Sequence, residues 1–98
     1  MFEHFGMLQL TPEATAQQRA AIVDGLNALP GEIPGLLEAH AGQDAGLREG
    51  NADITFRMVF AEKSAWEAYG THPAHLAVIK DRIAPVLSSK LFAQVEKP

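Results

Sequence analysis

Three side chains able to donate or accept a proton lie within seven residues of one another, in the segment EAYGTHPAHLAVIK (67–80). They are Tyr69, His72 and His75. Pro73 favours the first turn of a helix, so His75 falls in a turn where the helix dipole disfavours a charged imidazolium. A neutral imidazole is the form that acts as a general base at pH 7.

This spacing indicates an acid–base pair. Tyr69 can donate a hydrogen bond to a developing enolate oxygen, while His75 removes a proton from the carbon beside a carbonyl. The alternative is purely structural. His72 precedes proline and can cap the helix instead of binding substrate, His75 can bond a backbone carbonyl, and Tyr69 can be a buried ring whose hydroxyl reaches water.

A metal site is the weaker interpretation of the same segment. His72 and His75 supply at most two ligands, whereas zinc sites use three or four protein ligands. Glu67 and Asp81 could add ligands, but nothing in the sequence positions them. The chain has no cysteine, which excludes thiolate sites and disulfides. We therefore expect neither a metal nor a cofactor.

The elements that position these side chains can be read from the hydrophobic pattern. The chain has 98 residues and is predicted to form a single domain, 1–98. Period-2 and apolar runs predict strands, and these are residues 2–10, 36–44, 53–61 and 90–96. With the helical regions between them, the order β-α-β-β-α-β predicts an α+β, ferredoxin-like fold with a four-stranded antiparallel sheet.

Capping patterns predict where the helices begin and end. Thr11 is expected to cap the first helix, and Ser64 with Glu67 fits a capping box for the second helical region. Gly70 is a natural C-terminal glycine that divides this region in two. Pro85 removes a backbone donor and should loosen or end the last helix.

The first strand is apolar on both faces, which is typical of a sheet covered on both sides. We expect Phe5 and Met7 to pack against the helices, and Phe2, Leu8 and Leu10 to lie on the face that the helices leave bare. A second copy of the chain is the simplest cover. The sequence therefore predicts a homodimer through the sheet faces.

Arg57 is the charged residue that such a dimer would enclose. With the alternate residues of its strand packed on the helices, Arg57 points into the space between the sheets, and His4 is expected to share that direction. An unpaired interior charge is costly, so a partner is needed: Glu38, Glu96 or an anionic ligand. Arg57 is thus a candidate substrate-binding residue, and the alternative is an ion pair that fixes the register of the dimer.

Composition excludes several classes of partner. The net charge is −4 and the basic residues are scattered, so no nucleic-acid partner is expected. No window is long and apolar enough to cross a bilayer, and the first residues do not resemble a signal peptide. Because the absence of cysteine fits a reducing compartment, the cytoplasm is the expected location.

Three segments resemble the stress-responsive dimeric A/B-barrel (Dabb) domain family. They are ALPGEIPGLLEAHAGQD (28–44), WEAYGTHPAHLAVIKDRIAPVL (66–87) and the closing QVE (94–96). The resemblance covers essentially the whole chain and implies a homodimer whose two ferredoxin-like sheets pack into a barrel. One branch of the family resembles polyketide cyclases, which close a ring by aldol chemistry with a tyrosine and a histidine.

The resemblance also implies roles for individual residues. Tyr69 and His75 match the motif positions, and His4 matches a first-strand histidine that lines the same cleft. His75 would be the base, Tyr69 the oxyanion donor and His4 a group that orients the substrate. Gly6 and Gln9 depart from the pattern, since the family more often has a larger apolar residue and a lysine there.

The sequence therefore predicts a protein that binds a small hydrophobic or carbonyl-containing molecule in a cleft between sheet and helices. Catalysis would be cofactor-independent cyclase or lyase chemistry on a polyketide-like or β-dicarbonyl compound. Two alternatives stay open. One is a non-catalytic homodimer that serves interaction alone, and the other, by analogy of fold, is a cofactor-independent monooxygenase.

Overall fold

A computed structural model describes residues 1–98 as a sheet of four strands with its helices on one face. The strands and helices, in chain order, are β1 (Phe2–Leu10), α1 (Ala16–Asn27), β2 (Leu36–Gln43), β3 (Ile54–Phe60), α2 (Lys63–Tyr69), α3 (Pro73–Val78) and β4 (Leu87–Glu96). All pairings are antiparallel, in the order β2-β3-β1-β4. The predicted ferredoxin-like α+β fold is confirmed, including the division of its second helical region.

The helix starts differ from the predicted ones. The cap of α1 is Thr15, not Thr11, and Thr15 forms a reciprocal capping box with Gln18. Thr11 begins a turn instead, because its carbonyl accepts from the Ala14 amide at 3.0 Å. The capping box predicted at Ser64 is also wrong, since the cap position of α2 is Glu62, two residues earlier, and no side chain caps the helix. At α1, two threonines near the boundary compete for the cap position.

Pro85 ends the last helical region, as predicted. After α3 the chain widens into a π-type turn over Ile79–Ile83, closed by a 2.8 Å bond from the Ala84 amide to the Ile79 carbonyl. Pro85 has no amide proton to continue an α-helical ladder. The widened turn brings Ile79 and Ile83 over the sheet, where both reach the cavity described below.

The faces of β1 are opposite to those expected. Phe2, Leu8 and Leu10 are buried in the core under the helices, whereas Met7 is 53% exposed on the other face. Phe5 is half-buried on that same outer face. A strand that is apolar on both sides gives no indication of which side packs against the helices. The pairing with β3 decides it, because Phe2 lies opposite Phe60 at the centre of the core.

The direction of the His4 side chain follows from this reversal of the faces of β1. It lies opposite Met58 of β3, and both residues are buried on the helix side. Arg57 is the next residue along β3 and therefore projects from the outer face. The expectation that His4 and Arg57 share a direction is wrong, and His4 instead faces the helical layer.

The outer sheet face has no cover within the chain. Leu91 is 73% exposed, Met7 53% and Val95 39%. Val59 is buried but lies outside the core cluster beneath the helices. The face also carries an ion pair between Arg57 and Glu3 and a hydrogen bond between His40 and Glu38. An apolar surface of this kind, rimmed by polar groups, is typical of an interaction surface.

Gly6 of β1 has a packing role that explains one departure from the family pattern. A Cβ at this position would enter the ring of Phe56 and would lie 2.9 Å from Cδ1 of Phe92. The two aromatic rings occupy the space that a larger side chain would fill. Glycine is therefore required here by close approach, not by a special backbone angle.

We expect Gly6→Ala to lower the free energy of unfolding by about 1–3 kcal/mol, because overpacking displaces the Phe56 ring. Gly42→Ala on β2 is a matched control, since a Cβ there meets nothing within 4 Å. Urea unfolding of both variants measures the difference. A Gly6→Ala protein as stable as Gly42→Ala would contradict this packing.

Candidate active site

A cavity of about 260 Å³ lies between the sheet and the helical layer. Apolar side chains form most of its wall, and the polar ones are His4, Tyr69, His75 and Lys90. Phe56 and Phe92 close the side formed by the sheet. A wider depression of about 470 Å³ lies where the loop before β3 meets the outer face, and neither histidine nor tyrosine lines it. The chemistry suggested by the sequence therefore belongs to the smaller cavity.

Tyr69 and His75 are held in contact by the break between α2 and α3. Tyr69 is the last residue of α2, and Pro73 begins α3. The two rings stack with centroids 3.9 Å apart and planes at 28°. Tyr69 also makes a T-shaped contact with Phe60, with ring centroids 5.2 Å apart. These two contacts hold the phenol ring at the cavity wall.

His4 completes the cluster from the sheet. Its ring lies 6.0 Å from Tyr69 and is packed against Phe56 at 5.3 Å and Phe92 at 5.4 Å. Its Nδ1 lies 3.0 Å from the side-chain nitrogen of Gln94 on β4. The structure thus brings together His4, Tyr69 and His75, which lie up to 71 residues apart in sequence.

Burial keeps all three groups in their neutral forms. Removal from water, with a smaller contribution from the charge of His75, lowers the pKa of His4 from 6.5 to about 4. Burial also lowers the pKa of His75, although the Gly70 and Tyr69 backbone oppose this. The pKa of Tyr69 is raised by burial. At neutral pH the cavity therefore holds two uncharged imidazoles and an undissociated phenol.

His75 has an unsatisfied polar atom. Its Nδ1 is buried without a hydrogen-bond partner. The backbone at Gly70 and Tyr69 favours a proton on the ring and so opposes the effect of burial on the pKa of His75. The neutral ring carries one proton and keeps a lone pair on its other nitrogen. Buried polar groups without partners are rare and call for an explanation.

His72 lies at the N-terminus of α3 as its cap. Its Nδ1 accepts a 3.1 Å hydrogen bond from the Ala74 amide. It does not belong to the cavity wall. The structural alternative described for His72 thus accounts for its contacts, and the structure provides no contact through which it would bind a molecule in this cavity.

Arg57 also lies apart from the cluster. It projects from the outer sheet face and its guanidinium lies 3.3 Å from Glu3. The predicted need for a partner is met, but by Glu3 of the neighbouring strand and not by Glu38 or Glu96. Arg57 is therefore separated by the sheet from His4, Tyr69 and His75.

Residues of β4 were missed as members of the site. Lys90, Phe92 and Gln94 project toward the cavity side because they lie opposite Leu8, Gly6 and His4. The period-2 pattern of β4 is weak, and its pairing partner cannot be read from its own sequence. The signal that could have found them is alignment of β4 against β1, which places every second residue beside His4.

The metal interpretation gains no support from the geometry. No three His, Cys, Asp or Glu side chains are grouped so that they could hold a metal ion. No helix is long and apolar enough to span a membrane.

The lowered pKa of His4 predicts that the protein loses stability in acid. The unfolded chain binds a proton below pH 6.5 but folded His4 only near 4. The free energy of unfolding should therefore fall as the pH drops from about 6.5 to about 4, by about 3 kcal/mol at 1.36 kcal/mol per pK unit. His75 adds to the loss in the same direction.

Chemical unfolding at a series of pH values checks this. In His4→Asn the amide oxygen can still accept from Gln94, so we expect a stable protein with a shallower acid loss. Leu47→Asn alters an untitratable side chain that is 84% exposed and should keep the full slope. An unchanged slope in His4→Asn would show that His4 is not desolvated.

Solved structures share this fold over nearly the whole chain. A dimeric ferredoxin-like protein of unknown function from Thermobifida fusca is 29% identical, with a TM-score of 0.84 over 96% of this chain and 88% of that one. A hydroxynitrile lyase from Passiflora edulis is 15% identical, with a TM-score of 0.81 over 96% and 90%.

A candidate antibiotic biosynthesis monooxygenase from Bacteroides thetaiotaomicron is 12% identical, with a TM-score of 0.75 over 98% of this chain and 88% of that one. The last two likenesses show the fold alone. No curated protein matches the chain significantly. The family model for the stress responsive A/B barrel domain matches residues 2–96, and the chain therefore belongs to the stress responsive A/B barrel (Dabb) family.

Proposed function

We propose that this protein binds a small carbonyl compound between its sheet and helices and transfers a proton on it without a cofactor, as a cyclase or a lyase. The observation that carries this proposal is the stacked Tyr69–His75 pair at the wall of an apolar cavity, with both groups held neutral by burial. A neutral base beside a neutral donor is the combination that enolate chemistry requires.

The reaction begins with proton removal by His75. Its free nitrogen takes a proton from the carbon beside the carbonyl, and the electron pair moves onto the carbonyl oxygen. Tyr69 donates a hydrogen bond to that oxygen, and its raised pKa keeps the phenol protonated. His4 orients the carbonyl. The enolate then attacks a second carbonyl in a cyclisation, and the alkoxide that forms takes back the proton held by His75, which restores the neutral base. Reversal of these steps cleaves a carbon–carbon bond in a lyase.

The cavity favours a compact, mostly apolar substrate. Its volume of about 260 Å³ is just below the usual range of ligand pockets, about 300–1,000 Å³. The two phenylalanine rings supply flat apolar walls. A β-dicarbonyl compound or a short polyketide-like chain fits this lining. The hydroxynitrile lyase supports the proposal only in that a protein of this fold can be a lyase. The cytoplasm is the location we propose for the reaction.

Deuterium exchange tests the base directly. The protein should catalyse exchange of the α-hydrogens of 2-pentanone in D₂O, measured by NMR, and His75→Gln should slow this by about 100-fold or more. Tyr69→Phe should slow it by about tenfold or more, since one oxyanion donor is lost. Because the base acts when neutral, the rate should rise through the lowered pKa of His75 and be level at pH 7 and above.

His40→Asn on the outer face is the control and should exchange at the native rate. Exchange that is equal in His75→Gln and the native protein would contradict the proposed base. No exchange by a native dimer would favour the non-catalytic alternative. Oxygen consumption with an electron-rich aromatic compound would favour the monooxygenase.

We propose further that the outer sheet face pairs with a second copy of the chain. The exposed side chains of Met7, Leu91 and Val95 on this face support the pairing, as do the solved structures of this fold described as dimeric. Edge strand β4 is exposed along nearly its whole length. Face-to-face packing would remove these apolar side chains from water.

Leu91→Asp should weaken the dimer by at least about tenfold, because the interface would have to bury an unpaired carboxylate. Leu76→Asp is the matched control, since Leu76 is 47% exposed but lies on α3. Sedimentation equilibrium measures both. A native protein that is monomeric, or a Leu91→Asp protein as dimeric as the native one, would overturn this arrangement.

A further inference from the structure

The geometry points to Gln94 as a positioning residue that holds His4 as the tautomer protonated on Nε2, so that His4 is a hydrogen-bond donor and not a second base. The inference rests on the proposed function for the identity of the acceptor, a carbonyl oxygen. The tautomer itself is a property of the protein without ligand.

Gln94 and His4 lie directly opposite each other on β4 and β1. The side-chain nitrogen of Gln94 is 3.0 Å from Nδ1 of His4. With the amide in this orientation its NH₂ faces the ring and can only donate, so Nδ1 accepts and carries no proton. The single proton of the neutral ring then resides on Nε2.

Aromatic packing holds the ring in this orientation. The His4 ring is 5.3 Å from Phe56, 5.4 Å from Phe92 and 6.1 Å from Trp66. A rotation that exchanged the two nitrogens would have to displace these neighbours and break the bond to Gln94.

With this tautomer the three side chains of the cluster have different roles. Tyr69 and His4 both donate, and His75 is left as the base. The titratable groups nearest the His4 side of the cavity are Tyr69 on α2, His75 on α3 and Lys90 on β4. If His4 were protonated on Nδ1, its lone pair would instead face the cavity, where negative charge develops on the carbonyl oxygen, and would oppose that charge.

Nitrogen-15 NMR of histidine-labelled native protein at pH 7 reads the tautomer directly. We expect His4 to show a protonated Nε2 and an unprotonated Nδ1. In Gln94→Glu the carboxylate can only accept, so the proton should move to Nδ1 and the pKa of His4 should rise by about one unit or more. In Gln94→Met neither nitrogen has a partner, and a mixed signal should appear.

The signals of His40 on the outer face serve as an internal control and should not change in either variant. Circular dichroism melts establish that both variants fold. Native His4 protonated on Nδ1, or a tautomer unchanged in folded Gln94→Glu and Gln94→Met, would overturn the inference.

Deuterium exchange into 2-pentanone separates this inference from the proposed function. Native protein with the Nε2 tautomer but no exchange contradicts the proposed function and supports the role of Gln94 in setting the tautomer. Exchange by a native protein with His4 protonated on Nδ1 contradicts the inference and supports the proposed function. Gln94→Glu should exchange at least about tenfold more slowly than native, because a donor to the carbonyl is lost.

Discussion

Removal of two imidazole rings from water is the constraint on which the proposed chemistry depends. His4 is 6% exposed between the sheet and the helices, and burial is the largest cause of the lowered pKa of both His4 and His75. Strand β1 supplies His4, and the break between α2 and α3 supplies His75 together with Tyr69, which stacks on it. Each element is ordinary, but their packing lowers the pKa of both histidines, so that both stay uncharged further into the acid range than an exposed histidine would.

The same packing gives the sheet two different faces. Under the helices lie the apolar core and the cavity, whereas the outer face carries Met7, Leu91 and the ion pair between Arg57 and Glu3. β1 serves both faces, since His4 lines the cavity while its neighbours point outward. A partner subunit on the outer face would therefore stabilise the strand that carries His4 without touching the cavity side of that strand.

The order of elements and most strand bounds could be predicted because periodicity and glycine or proline breaks are local signals. Which face of β1 packs against the helices could not be predicted, because both of its faces are apolar, with Phe2 and Leu8 on one and Phe5 and Met7 on the other. Only the register with β3 decides between them. The prediction of the α1 cap failed for a similar reason. Thr11 and Thr15 are both good capping residues, and tertiary contacts select one of them.

For the site, the local pair Tyr69 and His75 could be proposed from a short segment and from family resemblance. His4 was matched by resemblance but assigned to the wrong face, and Arg57 and His72 proved to have partners elsewhere. Gln94 could not be found locally, because its place beside His4 comes from pairing of the first and last strands. Long-range strand pairing is thus the information that the sequence pattern lacks.

The most direct measurement for this account is an NMR pH titration of the four histidines in the native protein. The account predicts that His4 titrates near 4 and that His75 also titrates below the ordinary value for histidine. Titration of both rings near 6.5, the unperturbed value, would mean that water reaches them freely, and the desolvated cavity that the account requires would then not exist.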